Sequence, residues 1–271
     1  MSGGDGRSRA VAQAGIGPGL MRAEWAGAEK GMTLSFEIRR HACLGSTNDE
    51  ALRLAAAGAR AGTVVVAATQ SAGRGRQGRV WASPPGNLHA SVLLRPGVGT
   101  ERLGELAFLA GLAVAETVAG LLPPERRVSL KWPNDVLVDG AKIAGILIEQ
   151  AGDAAILGIG LNVAHRPPAT PYPATALALA GTEVEVETVL QRLLAALGAG
   201  LALWQAHGFA AIRSAWLAWA HPVGTLLQVR LGGSAETGTI AGRFAGIDPA
   251  GALLLETAAG PRRIVAGEVA R

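Results

Sequence analysis

The spacing of apolar residues changes period several times along the chain, and each change predicts an element. Residues 46–59 open on Ser, Thr and Asn and continue with apolar residues at helical spacing. They read as a helix capped by these small polar residues and ending at Gly58. Residues 63–70 (TVVVAATQ) are β-branched and read as a buried strand. Residues 71–79 hold too much glycine and charge for either element and read as a loop. A strand follows at 87–96, then a helix at 103–122 closed by Pro123 and Pro124. Short strands are expected at 128–131, 136–138, 143–150 and 155–163. A Pro-rich loop covers 167–175. A long amphipathic helix at 186–207 and a second helix at 212–219 complete this part. Beyond His221-Pro222 the pattern becomes short strands split by Gly and Asp-Pro turns, as in a small β-barrel of about 50 residues. A boundary therefore falls near residue 221, dividing 34–220 from 221–271. Residues 1–33 show no sustained period and read as a disordered leader, so Met32 can serve as the translation start.

Composition narrows the class. The 271 residues are 49% hydrophobic and 17% charged, which excludes global disorder. Lys and Arg number 25 against 21 Asp and Glu, a net charge of +4. No block of like charge appears, so the bland reading is an arginine-leaning surface. Only Lys30, Lys131 and Lys142 are lysines; elsewhere the chain writes arginine. A lysine in the body of the protein is thus a departure from the chain's own habit. Cys43 is the single cysteine, which excludes an intrachain disulfide and a multi-cysteine metal site and fits a reducing cytoplasm. The start lacks the apolar core of a secretory signal, and the apolar runs fall short of the roughly 20 residues that span a bilayer. No membrane partner is expected.

Four segments carry candidate chemistry. In Gln70–Arg79 glycines alternate with arginines directly after a strand. Glycine lets backbone N–H groups approach an anion, and arginine offers forked donors for phosphate or carboxylate. A flexible RNA-binding loop or a plain surface turn fits the same residues. The second is Lys131-Trp132-Pro133-Asn134-Asp135, followed by Lys142 and Gly145. Pro-Asn forms turns, which should set the Asp135 carboxylate at a strand end near Lys142. The alternative is a hairpin with a solvated lysine on each arm; a compact ammonium within an otherwise apolar strand favours chemistry for Lys142. In Gly158-Ile159-Gly160-Leu161-Asn162 the glycines mark a close approach, by tight sheet packing or by a ligand. In Gly45-Ser46-Thr47-Asn48 the small polar residues form an N-cap that can also hold a polar ligand head.

Taken together, GSTND, TQSAGRGRQGRVW, GNLHASVLLRP, KWPNDVLV, KIAGILIE, GIGLNV, PATAL and GIDPAGALLLE resemble the bacterial biotin protein ligases, of the short type without an N-terminal DNA-binding domain. The resemblance covers nearly all of residues 36–271. It implies an α/β (α+β) class II synthetase-like catalytic domain, with a mixed sheet flanked by helices, followed by a small SH3-like β-barrel. It also implies two steps: biotin and ATP give biotinyl-5′-AMP and pyrophosphate, with Mg²⁺ accompanying ATP. A lysine of a biotin carboxyl carrier domain, from acetyl-CoA, pyruvate or propionyl-CoA carboxylase, then takes the biotin and releases AMP.

The resemblance further implies roles for individual residues. Lys142, Arg76 and Asp135 are the catalytic set, with Lys142 bridging the biotin carboxylate and the α-phosphate and Asp135 orienting the incoming amine or acting as its base. Ser46, Thr47, Gln70, Gly73, Arg74, Lys142 and Gly145 contact biotin. Arg74, Arg76, Trp81, Lys131, Asn134 and Asn162 contact the nucleotide. Arg74 and Arg76 belong to a loop that closes over the adenylate, and the 167–175 loop covers adenine. Asn162 is implied as a contact to the nucleotide or to its Mg²⁺, and no dedicated protein metal site is implied. Gln77 stands where a basic residue often sits, with Arg74, Arg76 and Arg79 remaining. About 35 residues precede the core without helical patterning, so repressor-type DNA binding is not expected. The edge strands suit a carrier domain or a second subunit, leaving monomer and homodimer both open. Aromatics at 4% argue against an RNA-binding module, and the KWPND and GRGRQGR segments argue against a lipoate ligase.

Overall fold

The computed structural model describes residues 34–232 and 237–270. The predicted leader and Met32 lie outside the described residues. Seven strands form one mixed sheet in the order β1-β2-β3-β7-β6-β5-β4. They are β1 (Glu37–Leu44), β2 (Thr63–Gln70), β3 (Leu88–Leu94), β4 (Val128–Lys131), β5 (Asp135–Val138), β6 (Ala141–Ala151) and β7 (Ala154–Leu161). Only β1 and β2 run parallel; the other neighbours are antiparallel.

Period-two burial assigns the two faces of this sheet. Val64, Val92, Leu157 and Ile159 face a core formed with α2 (Gly104–Ala119) and α3 (Val186–Trp219). Val65, Leu93 and Ile156 face α1 (Thr47–Ala56) instead. The side chains of α2 are buried almost all round because it lies between the sheet and α3, which explains why it is apolar on every face. The two helices expected at 186–207 and 212–219 join in α3 across a kink at Gly208, whose φ is +69°. Among the described residues α3 is long and apolar enough to cross a membrane by length and composition. Its apolar stripe, from Val189 through Leu201 to Trp216, is buried in the core.

Five antiparallel strands make the C-terminal sheet, in the order β11-β10-β9-β8-β12, the small SH3-like unit expected from the sequence. They are β8 (Leu226–Gly232), β9 (Thr237–Ile247), β10 (Leu253–Thr257), β11 (Gly260–Ile264) and β12 (Gly267–Ala270). Trp132 donates its indole N–H to the Gly251 carbonyl at 3.0 Å, and Arg213 reaches the Ile247 carbonyl at 2.7 Å, so this sheet is tied to the first.

One strand has no counterpart in the sequence reading. β1 carries EIRRHACL and sits at the sheet edge with most side chains exposed. An edge strand has no need of an apolar face, so the period-two signal is missing.

Candidate active site

The hairpin of β4 and β5 places Lys131 directly opposite Asp135. A register shift in the β5–β6 pairing, between Val136 and Leu137, lets Lys142 reach the same carboxylate. Lys142 Nζ lies 2.6 Å from Asp135 Oδ1, and Lys131 Nζ lies 3.0 Å from Oδ2. Burial alone would raise the Asp135 carboxyl, but Lys142 and Lys131 outweigh it and hold the group below the usual carboxylate range. The expected closeness of Asp135 and Lys142 is met. The solvated alternative for Lys131 is not: this lysine is 5% exposed and donates to the Val269 carbonyl at 3.1 Å.

The glycine–arginine segment forms a closed loop folded onto the sheet. Arg74 bridges Val80, Trp81 N–H donates to the Gly73 carbonyl, and Gly75 N–H donates to the Arg79 carbonyl. A Cβ on Gly73 would collide with the Ser83 hydroxyl and the Trp81 carbonyl, so only glycine lets the two ends of the loop meet. The Trp81 indole lies across Gly145 and Gly160, which are paired between β6 and β7. A side chain on Gly160 would overlap the indole, and one on Gly158 would overlap the Asn48 carboxamide. These glycines thus admit the Trp81 indole and the Asn48 carboxamide onto the α1 face of the sheet, a close approach by protein side chains. Replacing Gly160 with alanine should displace Trp81 and lower stability by about 1–3 kcal/mol, measurable by tryptophan fluorescence and thermal unfolding.

The expected N-cap falls on Ser46, while Thr47 and Asn48 lie inside the first turn of α1. Ser46 occupies the N-cap with φ −150°, but its side chain makes no capping bond. Gln70, at the end of β2, supplies the acceptor: its Oε1 takes the Thr47 N–H at 2.8 Å and the Thr47 hydroxyl at 3.1 Å. Its amide in turn donates to the Ser83 hydroxyl, which donates to the Trp81 carbonyl.

Three contacts join the loop and the buried lysine to β12. Arg79 pairs with Glu268 at 2.9 Å, Arg76 reaches the Gly267 carbonyl at 3.5 Å, and Lys131 reaches Val269 as above. Arg76 also meets Asn134 Oδ1 at 3.4 Å, while Asn134 donates to the Ile146 carbonyl. Burial weakens the hold of Arg76 on its proton relative to a free arginine.

The resulting cleft is lined by Ser46, Thr47, Gln70, Arg74, Arg76, Trp81, Asn134, Asp135, Lys142 and Gly145. Gly73 and Lys131 stand behind that lining. So does Asn162, which donates to the Thr175 carbonyl at 2.9 Å and staples the 167–175 loop to the sheet. This loop extends β6, with Lys142 N–H donating to the Pro173 carbonyl and Thr175 N–H to the Lys142 carbonyl. It thereby sets the Tyr172 ring 5.3 Å from Lys142 Nζ.

Comparison with known proteins decides what this cleft belongs to. Residues 41–163 match the Biotin/lipoate A/B protein ligase family, and residues 228–271 match the Biotin protein ligase C terminal domain. The biotin–[acetyl-CoA-carboxylase] ligase of Paracoccus denitrificans is 40% identical over 83% of this chain and 96% of its own length. The bifunctional ligase/repressor of Bacillus subtilis is 36% identical over 84% of this chain and 72% of its own. The biotin protein ligase of Aquifex aeolicus, solved with biotin and ATP, superposes with a TM-score of 0.75 at 30% identity, covering 86% of this chain and 97% of that one. The chain belongs to the biotin protein ligase family.

For this ligase the sequence reading placed Asn48, Arg79, Gly158 and Gly160 in candidate segments and Tyr172 in the 167–175 loop, but gave none of them a site role of its own, and all five line the cleft. The glycines were visible but ambiguous. Tyr172, the only tyrosine, carried a signal by rarity alone. Arg79 had been counted only as spare charge.

Proposed function

We propose that this ligase activates biotin as biotinyl-5′-AMP and transfers it to one lysine of the biotin carboxyl carrier domain of a biotin-dependent carboxylase. The acceptor is the carrier domain of acetyl-CoA, pyruvate or propionyl-CoA carboxylase; relatives named for the acetyl-CoA enzyme favour the first. The observation that carries the reading is Lys142, braced on Asp135 at the floor of a cleft whose wall holds Arg76.

In the first step a biotin carboxylate oxygen bonds to the α-phosphorus of ATP, and the bond to pyrophosphate breaks. Negative charge gathers on the α-phosphate, where the fixed ammonium of Lys142 stabilises it. In the second step the neutral acceptor amine attacks the biotinyl carbonyl, the bond to AMP breaks, and the amine's proton passes to the departing AMP phosphate or to water. Asp135 is a poor acceptor for that proton, because two ammoniums already hold its oxygens and its carboxyl sits below the usual range. Its part is to orient. Ser46, Thr47, Gln70, Gly73 and Gly145 form the biotin side. Arg76, Trp81, Lys131, Asn134 and Asn162 form or support the nucleotide side, beneath the 167–175 loop. Mg²⁺ arrives with the ATP phosphates; among the described residues no group of three or more His, Cys, Asp or Glu is placed to hold a metal.

The working division is a leader at 1–33, a catalytic domain at 34–220 and an SH3-like domain at 221–271. The enzyme works in the cytoplasm as monomer or homodimer, without repression. The test is pyrophosphate release with ATP and either biotin or lipoate. Release is expected with biotin, and turnover with lipoate alone would overturn the assignment.

A further inference from the structure

We propose that Glu149 and Asp49 form a carboxylate latch on Arg74, and that this latch sets how long the enzyme retains biotinyl-AMP. The inference rests on the two-step reading above and adds two positioning residues to it.

All three guanidinium nitrogens of Arg74 are engaged. Nη1 and Nη2 lie 2.8 and 2.6 Å from the two oxygens of Asp49, on the first turn of α1. Nη2 lies 3.0 Å from each oxygen of Glu149, on β6, and Nε lies 3.3 Å from Oε1. Two forked pairs on one planar cation fix its direction as well as its place. The Asp49 bonds raise the Arg74 pKa further above its ordinary value, and Glu149 adds to them against the opposing effect of burial. One cation between two carboxylates leaves a cluster of net negative charge, which repels a phosphate. Arg74 in this arrangement therefore anchors the loop and does not bind the nucleotide.

Glu149 is itself held. Asn48 donates to its Oε2 at 2.6 Å, and the Ser91 hydroxyl lies 2.5 Å from Asn48 Oδ1 and 2.7 Å from the Thr47 hydroxyl. Thr47 continues to Gln70, Ser83 and the Trp81 carbonyl. A continuous polar chain thus runs under the loop from its first arginine to its tryptophan. Thr47 and Gln70, assigned to biotin, are links in that chain. Loop position and biotin contacts are therefore set together, and opening the loop requires breaking the Arg74 forks. Glu149 is the inner arm, its side chain 27% exposed against 56% for Asp49, and is the less screened by solvent, while Asp49 makes the shorter bonds.

The test uses the full chain and measures biotin KM, the half-life of enzyme-bound biotinyl-AMP and the thermal midpoint. Glu149→Gln keeps an acceptor for Asn48 but loses the charge. It should shorten the half-life and raise KM about tenfold, with kcat for pyrophosphate release falling less than KM rises. Arg74→Lys keeps the charge but loses the fork, and should shorten the half-life at least about fivefold. Arg74→Gln combined with Glu149→Gln should be no worse than Arg74→Gln alone, because both remove one interaction. A half-life within about twofold of wild type in Arg74→Lys overturns the latch even if Glu149→Gln fails to fold. So do effects of Glu149→Gln and Arg74→Gln that multiply in the double variant. A wild-type chain that forms no biotinyl-AMP overturns the two-step reading, and the latch with it. Formation by wild type and undiminished retention by the variants overturns the latch alone.

Discussion

Lys142→Ala should abolish biotin-dependent pyrophosphate release while the chain stays folded. The loss is expected to reach about 10³-fold in kcat, the scale set by removing a fixed donor at a charge-building transition state. The lysine side chain is 13% exposed and stands at the cleft between the Trp81 and Tyr172 rings, outside the hydrophobic core. Asp135 keeps Lys131 as its counter-charge. The thermal midpoint should therefore fall by only a few degrees, while the adenylation rate, read by pyrophosphate release, collapses. Wild-type release from the alanine variant would remove Lys142 from the reaction.

Asp135→Asn should damage stability and activity together. It leaves two ammoniums near one neutral amide in a site where Asp135 and Lys131 are each 5% exposed. Breaking one partner out of a buried charge cluster costs about 3–5 kcal/mol, and urea unfolding would read it directly. The same residue gives the wild type a pH signature. Its folded carboxyl lies below its unfolded value, so the stabilisation is complete above the ordinary carboxylate range. It is lost as pH falls through the lowered folded value. The asparagine variant should lack that part of the acid-side decline. An unfolding free energy that falls with acid equally in both proteins would contradict the assignment.

How much of this was legible in the sequence follows from how local each signal is. The strand 63–70 is observed with the same bounds, because a β-branched run between a helix stop and a glycine loop is complete in itself. Lys142 stood out because a chain rich in arginine kept a lysine there. The Lys131–Asp135 contact is a hairpin pair four residues apart, within reach of turn chemistry. Glu149, by contrast, lies 75 residues from Arg74, and their meeting depends on the order β2-β3-β7-β6. No spacing rule encodes that order. Asn48 reads as an ordinary first-turn polar residue until Gly158 is seen opposite it. The edge strand β1 hid for the opposite reason, having no buried face to announce it.

The contacts of β12 bear on when the enzyme first becomes active. Arg76, Arg79 and Lys131 meet this strand across 191, 189 and 138 residues of chain. During synthesis the whole seven-stranded sheet can emerge and fold before β12 exists. A ribosome-bound chain at that stage holds the loop and the buried lysine without the carbonyls and the carboxylate that brace them. The bracing of the loop and the buried lysine is therefore completed late, after the last strand clears the exit tunnel.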